Sequence, residues 1–458
     1  MALTKYSEGS LRELWTIAFP LMLSSLSVQS MIFTDRWLLA HYSTEAHNAA
    51  VTATTLGWAL IYGWVVLANI AEVFVAQYNG ARLYRQLAEP VWQMIWLSLV
   101  SIIFFLPLSL WGGAWLYGSG SGGDLEKDYF DQMLLFGPFY PLGAAFCAFF
   151  IGQGKTRLVT IVVILGSLLN ILLDLVLIFG VEGLVPAMGV KGAAIATSAA
   201  AVIQVIVFGM VFFNKRNREN YGTFRYHLKF TILWECLKVG LPSAIFICCD
   251  ILAFAIYYRM MKDLGQEYIT IAGICQSMVI LFYFFAEGIN KATATIVGNI
   301  IGAGRSSQVS KVLVSGLKLN LIFFAFMFVL LGLGSPLIID QFLPQADPEF
   351  IASIQGTLRT SLLLMSFYMF FEGIRLQLAG ILTAAGDTVF LFAAGTLSVW
   401  VLMVLPVYAI VVRGKLPIEM ANVICIAYGL IASLIYFWRI FEGKWRSIVI
   451  SSELKGYQ

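Results

Sequence analysis

Residues 156–180 read TRLVTIVVILGSLLNILLDLVLIFG. After Arg157 the run stays apolar for roughly 20 residues, the length of helix that crosses a bilayer. Two polar side chains interrupt it, Asn170 and Asp174. Their i, i+4 spacing stacks them on one helix face, a turn apart. A carboxylate at that depth costs roughly 2.5–3.5 kcal/mol even on insertion scales. Two readings compete: a site for a proton or small cation, or a hydrogen-bonded joint to a neighbouring helix. The first is preferred, because ionisable residues inside spans mark ion and substrate paths.

The rest of the chain shares this apolar character. Of 458 residues, 60% are hydrophobic and 12% charged, against about 45–50% and 25% in soluble domains. An all-α polytopic membrane protein is expected. The net charge of +3 gives no electrostatic case for nucleic acid. The first residues, MALTKYSEGSLRELW, are polar, and the apolar run after them is long enough to remain in a bilayer, so no cleavable signal peptide is read. Cys147, Cys236, Cys248, Cys249, Cys275 and Cys425 all fall in apolar runs and read as small hydrophobes. His41, His47 and His227 lack metal-ligand spacing, so no metal is expected beyond Na⁺, and no cofactor.

Apolar segments fall at about 14–40, 49–78, 90–117, 129–151, 157–180, 188–213, 230–262, 266–298, 311–340, 350–384, 389–412 and 417–438. They predict about twelve transmembrane helices. Pro20, Pro107, Pro141, Pro242 and Pro406 lie inside these runs, where bends are expected. The stretch 118–124 reads as a flexible link and 343–349 as a turn. The longest polar break, 214–229, divides the chain into two lobes of six helices, 1–213 and 230–458. Lys and Arg concentrate in the loops on one side, including 214–229 and both ends of the chain. The positive-inside rule therefore places both termini in the cytoplasm.

The two halves repeat. Pro20 in IAFPL recurs as Pro242 in KVGLPS, and Gly80 in VAQYNGAR as Gly302 in VGNIIGAG, both at an offset of 222 (242 − 20 and 302 − 80). Gly154 in GQGKT recurs as Gly386 in AAGDT at an offset of 232 (386 − 154). With an even number of helices in each half, both enter from the same side. The expected relation is a pseudo-two-fold axis along the membrane normal, with a shared site between the lobes.

Further charges interrupt the apolar runs. Asp35 lies near the end of the first, where an interfacial helix end is an equal alternative to a buried site. Asp250 sits in the middle of IFICCDILAFAIYY and Glu372 in the middle of YMFFEGIRLQLAG, with Arg375 a turn on. Glu287 and Lys291 share one helix face. Glu287–Lys291 and Glu372–Arg375 are also readable as intramembrane ion pairs that lower the cost of insertion, which is the preferred reading for the former. A carboxyl with no permanent basic partner can alternate between charged and neutral forms. Tyr257, Tyr283, Phe367, Tyr368 and Phe371 are candidates to line a cavity for a flat lipophilic cation through cation–π contacts. Ordinary helix packing is the simpler account of any one of them.

Together these residues resemble the multidrug and toxic compound extrusion (MATE) family over nearly the whole chain. The resemblance rests on Pro20 with Asp35-Arg36, on VAQYNGA (75–81), on Asn170-Ile-Leu-Leu-Asp174 before IFG, and on GVKGAAIAT (189–197). It implies that Asp35, Asn170, Asp174 and Thr197 form a cation or proton site in the N-terminal lobe. It also implies a second cation site at Asp250 and Glu372. Ala272-Gly273 stands where many members have His-Gln, and Glu287, Lys291 and Arg375 have no general family counterpart. These departures bear on substrate range.

The expected function is export of a small organic, cationic compound by antiport with H⁺ or Na⁺. The setting is the plasma (inner) membrane, with the chain acting as a monomer. A flippase for a lipid-linked saccharide, from the same superfamily, is the alternative. A membrane-embedded enzyme is remote, since no HExxH or GxSxG motif is present.

Overall fold

The computed structural model describes residues 3–118, 124–342 and 348–455. Most of the stretches read as a flexible link (118–124) and a turn (343–349) lie outside the described residues. Among the described residues, eleven helices are long and apolar enough to cross a membrane, and one bent pair makes a twelfth. In chain order they are α1 (Leu11–Tyr42), α2 (Thr44–Gly80), α3 (Tyr84–Tyr117), α4 (Asp124–Leu135 with Phe139–Gly152), α5 (Thr156–Phe179) and α6 (Gly189–Phe212). The second half supplies α7 (Phe230–Leu264), α8 (Gln266–Gly302), α9 (Ser306–Ile339), α10 (Pro348–Ala384), α11 (Thr388–Val412) and α12 (Ile418–Glu442). Each apolar run of the sequence becomes one of these, within a few residues at either end.

Local chemistry explains where the helices start and bend. Ser10 caps α1 by accepting the Glu13 N–H (3.2 Å), while the Glu13 carboxylate accepts the Gly9 N–H (2.6 Å). Two donors that no helix turn can serve are thereby satisfied. Ser43 alone separates α1 from α2, capping the Ala46 N–H at 3.0 Å. The carbonyl of Pro20 accepts the Thr160 hydroxyl at 2.6 Å, which ties α1 to α5. α4 turns by 42° between Leu135 and Phe139. The bend falls at Gly137-Pro138, not at Pro141 as the apolar runs suggested. The ring of Phe105 lies where a side chain at Gly137 would go. Around Pro107 and Pro406 the winding opens to π-helix, at Leu108–Gly112 and Val407–Val412, a relaxation that accommodates a missing N–H.

Helices α1–α6 pack chiefly on one another, and so do α7–α12; α8 packs on α1 and on the Ala71–Gly80 part of α2, and α7 packs on α2. Large apolar side chains such as Trp115, Leu333 and Phe441 point outward at 80% exposure or more, as lipid-solvated helices allow. The 214–229 connection is strapped to α3. Asn214 caps the short helix Lys215–Tyr221 by accepting the Asn217 N–H (2.8 Å). The Trp92 and Trp96 indoles then donate to the carbonyls of Thr223 and Tyr226 at 3.0 Å. Gln93 accepts the Lys229 N–H (3.0 Å), and the Lys229 ammonium meets Glu89 at 2.8 Å.

At one end of the molecule α2 and α8 cross with almost no space between them. A side chain at Gly80 would overlap the Asn299 carbonyl, and one at Gly302 would overlap the Gln77 carbonyl. Ala76 faces Gly298 in the same crossing. Every member of these pairs is related to its counterpart by the offset of 222: 76 to 298, 77 to 299 and 80 to 302. The Gln77 amide donates to the Ala384 carbonyl (2.7 Å), and the Asn299 amide donates to the Gly152 carbonyl (2.9 Å). The acceptors, 152 and 384, are related by the second offset, 232.

Candidate functional site

The first group of site residues lies within α1–α6. Asp35 is buried seven residues before the end of α1. The helix runs on to Tyr42, so Asp35 is not an interfacial helix end. Asn170 and Asp174 are fully buried on α5. The surroundings favour one orientation of the Asn170 amide. Its oxygen then accepts the Thr197 N–H (3.1 Å) and hydroxyl (3.2 Å), and its nitrogen donates to Asp174 Oδ2 (3.1 Å). Oδ1 of Asp174 and Oδ1 of Asp35 are buried without a hydrogen-bond partner among the described residues. The two carboxyls are close enough to act on each other electrostatically, and the Tyr129 hydroxyl lies beside Asp35. Asn170 thus links Asp174 on α5 to Thr197 on α6, with Asp35 of α1 within electrostatic reach of Asp174. Tyr129 and Tyr140, from the two arms of α4, add hydroxyls that sequence reasoning missed.

The C-terminal pair sits in different surroundings. Glu372 and Arg375 are buried on α10, and the guanidinium meets the carboxylate through two nitrogens, with Nε to Oε2 at 2.8 Å. The rings of Phe246 and Tyr428 lie about the same guanidinium, 6.0 and 5.9 Å from its carbon. Glu372 is thus paired with a residue of its own helix, the ion-pair alternative that the sequence also allowed. Asp250 lies within the field of both and keeps a buried Oδ1 that has no partner among the described residues.

Between the two halves lie two adjoining chambers that share Tyr62, Asn69, Glu287 and Lys291 in their walls. One, about 410 Å³, is bounded by Ser25, Gln29, Trp58, Tyr62 and Asn69. The other, about 230 Å³, is bounded by Tyr62, Glu72, Phe246, Tyr283 and Asn290. Glu287 and Lys291 line both. They form an ion pair at 2.7 Å, and Glu287 also accepts the Ser25 hydroxyl from α1 (2.8 Å). Glu72, on α2, is buried and accepts the Thr295 hydroxyl at 3.0 Å.

Of the five aromatic candidates, only Tyr283 lines these chambers. Tyr257 and Tyr368 are packed in the core, and Phe371 packs against Phe370 and Gly429. Phe367 is partly exposed against Phe324 and Phe328. The expectation placed them by proximity in sequence to the acids, but helical rotation turns most of them away. Glu72 was overlooked. It is the one carboxylate in the otherwise apolar 49–78 run, and that signal was readable.

A protein of Thermotoga maritima (strain ATCC 43589) named "probable multidrug resistance protein NorM" is 26% identical over 459 residues, spanning 97% of this chain and 95% of that one. One of the same name from Pasteurella multocida (strain Pm70) is 26% identical over 392 residues, spanning 82% and 81%. A solved structure described as the outward-facing conformation of a multidrug resistance MATE family transporter of the MOP superfamily shares the fold. Its TM-score is 0.83 at 18% identity, covering 98% of this chain and 97% of that chain. A family model described as MatE matches residues 20–176 and 242–409, beginning once at Pro20 and again at Pro242. Matched along most of both halves, the chain belongs to the MatE family of membrane transporters.

Proposed function

We propose that this chain exports organic cations by antiport against H⁺ or Na⁺. Residues 1–213 and 230–458 act as two rocking lobes, with 214–229 as a cytoplasmic strap. The observation that supports this most is Asp174. It is fully buried, hydrogen-bonded to a neutral amide, and has one oxygen left open. No Lys or Arg pairs with it among the described residues. A carboxyl in that position needs a proton or a small cation to balance it. The inward-moving ion is then a substrate held by Asp174, Asp35, Asn170 and Thr197. Asp250 is a second titratable group in the other lobe.

Coupling requires that ion binding favour one arrangement of the lobes, since equal affinity for both shifts nothing. Neutralising Asp174 and Asp35 removes the repulsion between them and lets α1 repack against α5 around Pro20. The α2–α8 crossing is the closed gate on the cytoplasmic side, so the cavity above it faces outward. The names of the two relatives support a multidrug substrate range.

The test is transport in proteoliposomes. A pH gradient and a sodium gradient are imposed separately, and export of ethidium, a planar organic monocation, is followed. One gradient should drive export, and Asp174→Asn should abolish that dependence. Export driven by neither gradient removes the antiport reading. Full coupling in the Asp174→Asn protein removes the proposed ion site.

A further inference from the structure

The two chambers meet at Lys291, the only basic side chain among the described residues that line either one. Two carboxylates share them with it, Glu287 and Glu72, leaving one acid in excess. Both oxygens of Glu287 are engaged, one by Lys291 and one by Ser25. The pair is only half-buried, with the side chains 35% and 24% exposed. It therefore stands at the cavity wall, not in packed protein. Glu72 belongs to the other half of the molecule, and the Lys291 charge acts on it as well.

This is an unusual lining for a cavity that takes cations. An organic cation entering it meets Glu287 already neutralised by an ammonium on the same helix. A lysine is well suited to yield, because its charge rides on a flexible four-carbon stem. A planar cation can gain ring faces at Tyr62, Tyr283 and Phe246 that the compact ammonium does not use. When Lys291 leaves Glu287 it has a second carboxylate within electrostatic range, Glu72, across the boundary between the halves.

Building on the reading of the cavity as a cation exporter's, we propose that Lys291 is a resident cation. An organic monocation displaces it from Glu287, and Glu72 receives the displaced ammonium. Lys291 thereby sets both affinity and charge selectivity. A neutral compound has nothing to offer Glu287 in exchange, and an anion meets the excess acid. The exchange also moves one positive charge from a bond within α8 to a bond between α8 and α2, so substrate binding pulls the two halves together at this level.

The experiment is equilibrium binding of ethidium to the purified full chain in detergent, by fluorescence anisotropy. Lys291→Met and Lys291→Gln free Glu287 and should tighten binding at least roughly tenfold, the value of one charge-assisted contact. Glu72→Gln should weaken binding in the parent chain, and by several-fold less in the Lys291→Met background. Unchanged or weaker binding in both well-folded Lys291 variants overturns the proposal. So does a Glu72→Gln effect of equal size in both backgrounds, or none in the parent. Gradient-driven export by the parent chain is measured alongside. If binding follows the stated order but no gradient drives export, the antiport reading falls and the Lys291 site stands. If export is coupled and the Lys291 variants bind like the parent, the site falls and the antiport reading stands.

Discussion

Gly80 lies against the main-chain carbonyl of Asn299, closer than any side chain permits. The repeat partner of this contact, Gly302 against Gln77, has the same character. Two such contacts about one pseudo-axis make the α2–α8 crossing a surface on which the halves can close without a gap. Gly80→Ala and Gly302→Ala should each push the helices apart, at a cost of about 1–3 kcal/mol for overpacking. In a background without native cysteines, a thiol placed at Ala76 reports the change. Its labelling by a water-soluble reagent should rise in either alanine variant. Equal labelling in parent and variants would show that the crossing is not a tight seal.

The amide bonds beside that crossing should behave as a matched pair. Asn299→Ala strands the Gly152 carbonyl and the Asn79 amide, which donates to Asn299 Oδ1 at 2.6 Å. Gln77→Ala strands the Ala384 carbonyl. A buried polar group left without its partner costs about 1–3 kcal/mol. Each substitution should lower the melting temperature in one detergent, Asn299→Ala by the larger amount because it strands two groups. A large drop for one and none for the other would mean that the reciprocity has no energetic content.

Around Asp174 on α5, the neutral residues should tune ion affinity and the acid should decide whether coupling exists at all. Asn170→Ala and Thr197→Ala remove groups that orient Asp174 directly or at one remove. Loss of such supporting contacts typically costs 10–100-fold in ion affinity. The half-saturating concentration of the driving ion should rise on that scale, with coupled export recovered when the ion is in excess. Asp174→Asn should not be recoverable this way. Recovery of coupling in Asp174→Asn at high ion concentration would move the ion site elsewhere.

The two acids of the second half should separate by phenotype. Glu372→Gln leaves the buried Arg375 without its directly paired carboxylate, and breaking such a pair costs roughly 3–5 kcal/mol. The expected result is a marked loss of thermal stability, relieved by adding Arg375→Met. Asp250→Asn removes a carboxyl with an unpartnered oxygen and should leave the melting temperature close to the parent's while changing transport. A stable Glu372→Gln protein with altered ion dependence would return that residue to the ion-binding set.

The sequence by itself determined the class, the helices and the repeat. Twelve apolar runs are a one-dimensional property, and burial of backbone hydrogen bonds in lipid leaves helices as the way for such runs to span. The i, i+4 pair Asn170 and Asp174 was legible for the same reason: on a single helix, spacing is position. Glu287–Lys291 and Glu372–Arg375 also lie within one helix each, so their pairing follows from rotation and rise alone. What crosses between helices was not legible. Thr197 meets Asn170, and Tyr129 meets Asp35, only because α4 and α6 close around α1 and α5. Gly80 and Gly302 were visible as repeat markers, but that each faces the other half's backbone is a fact of packing. The aromatic residues near the acids misled because neighbours in sequence point to different sides of a helix. Tertiary structure alone decided which buried acids lack a basic partner, since an acid's counter-charge can come from any element that packs beside it.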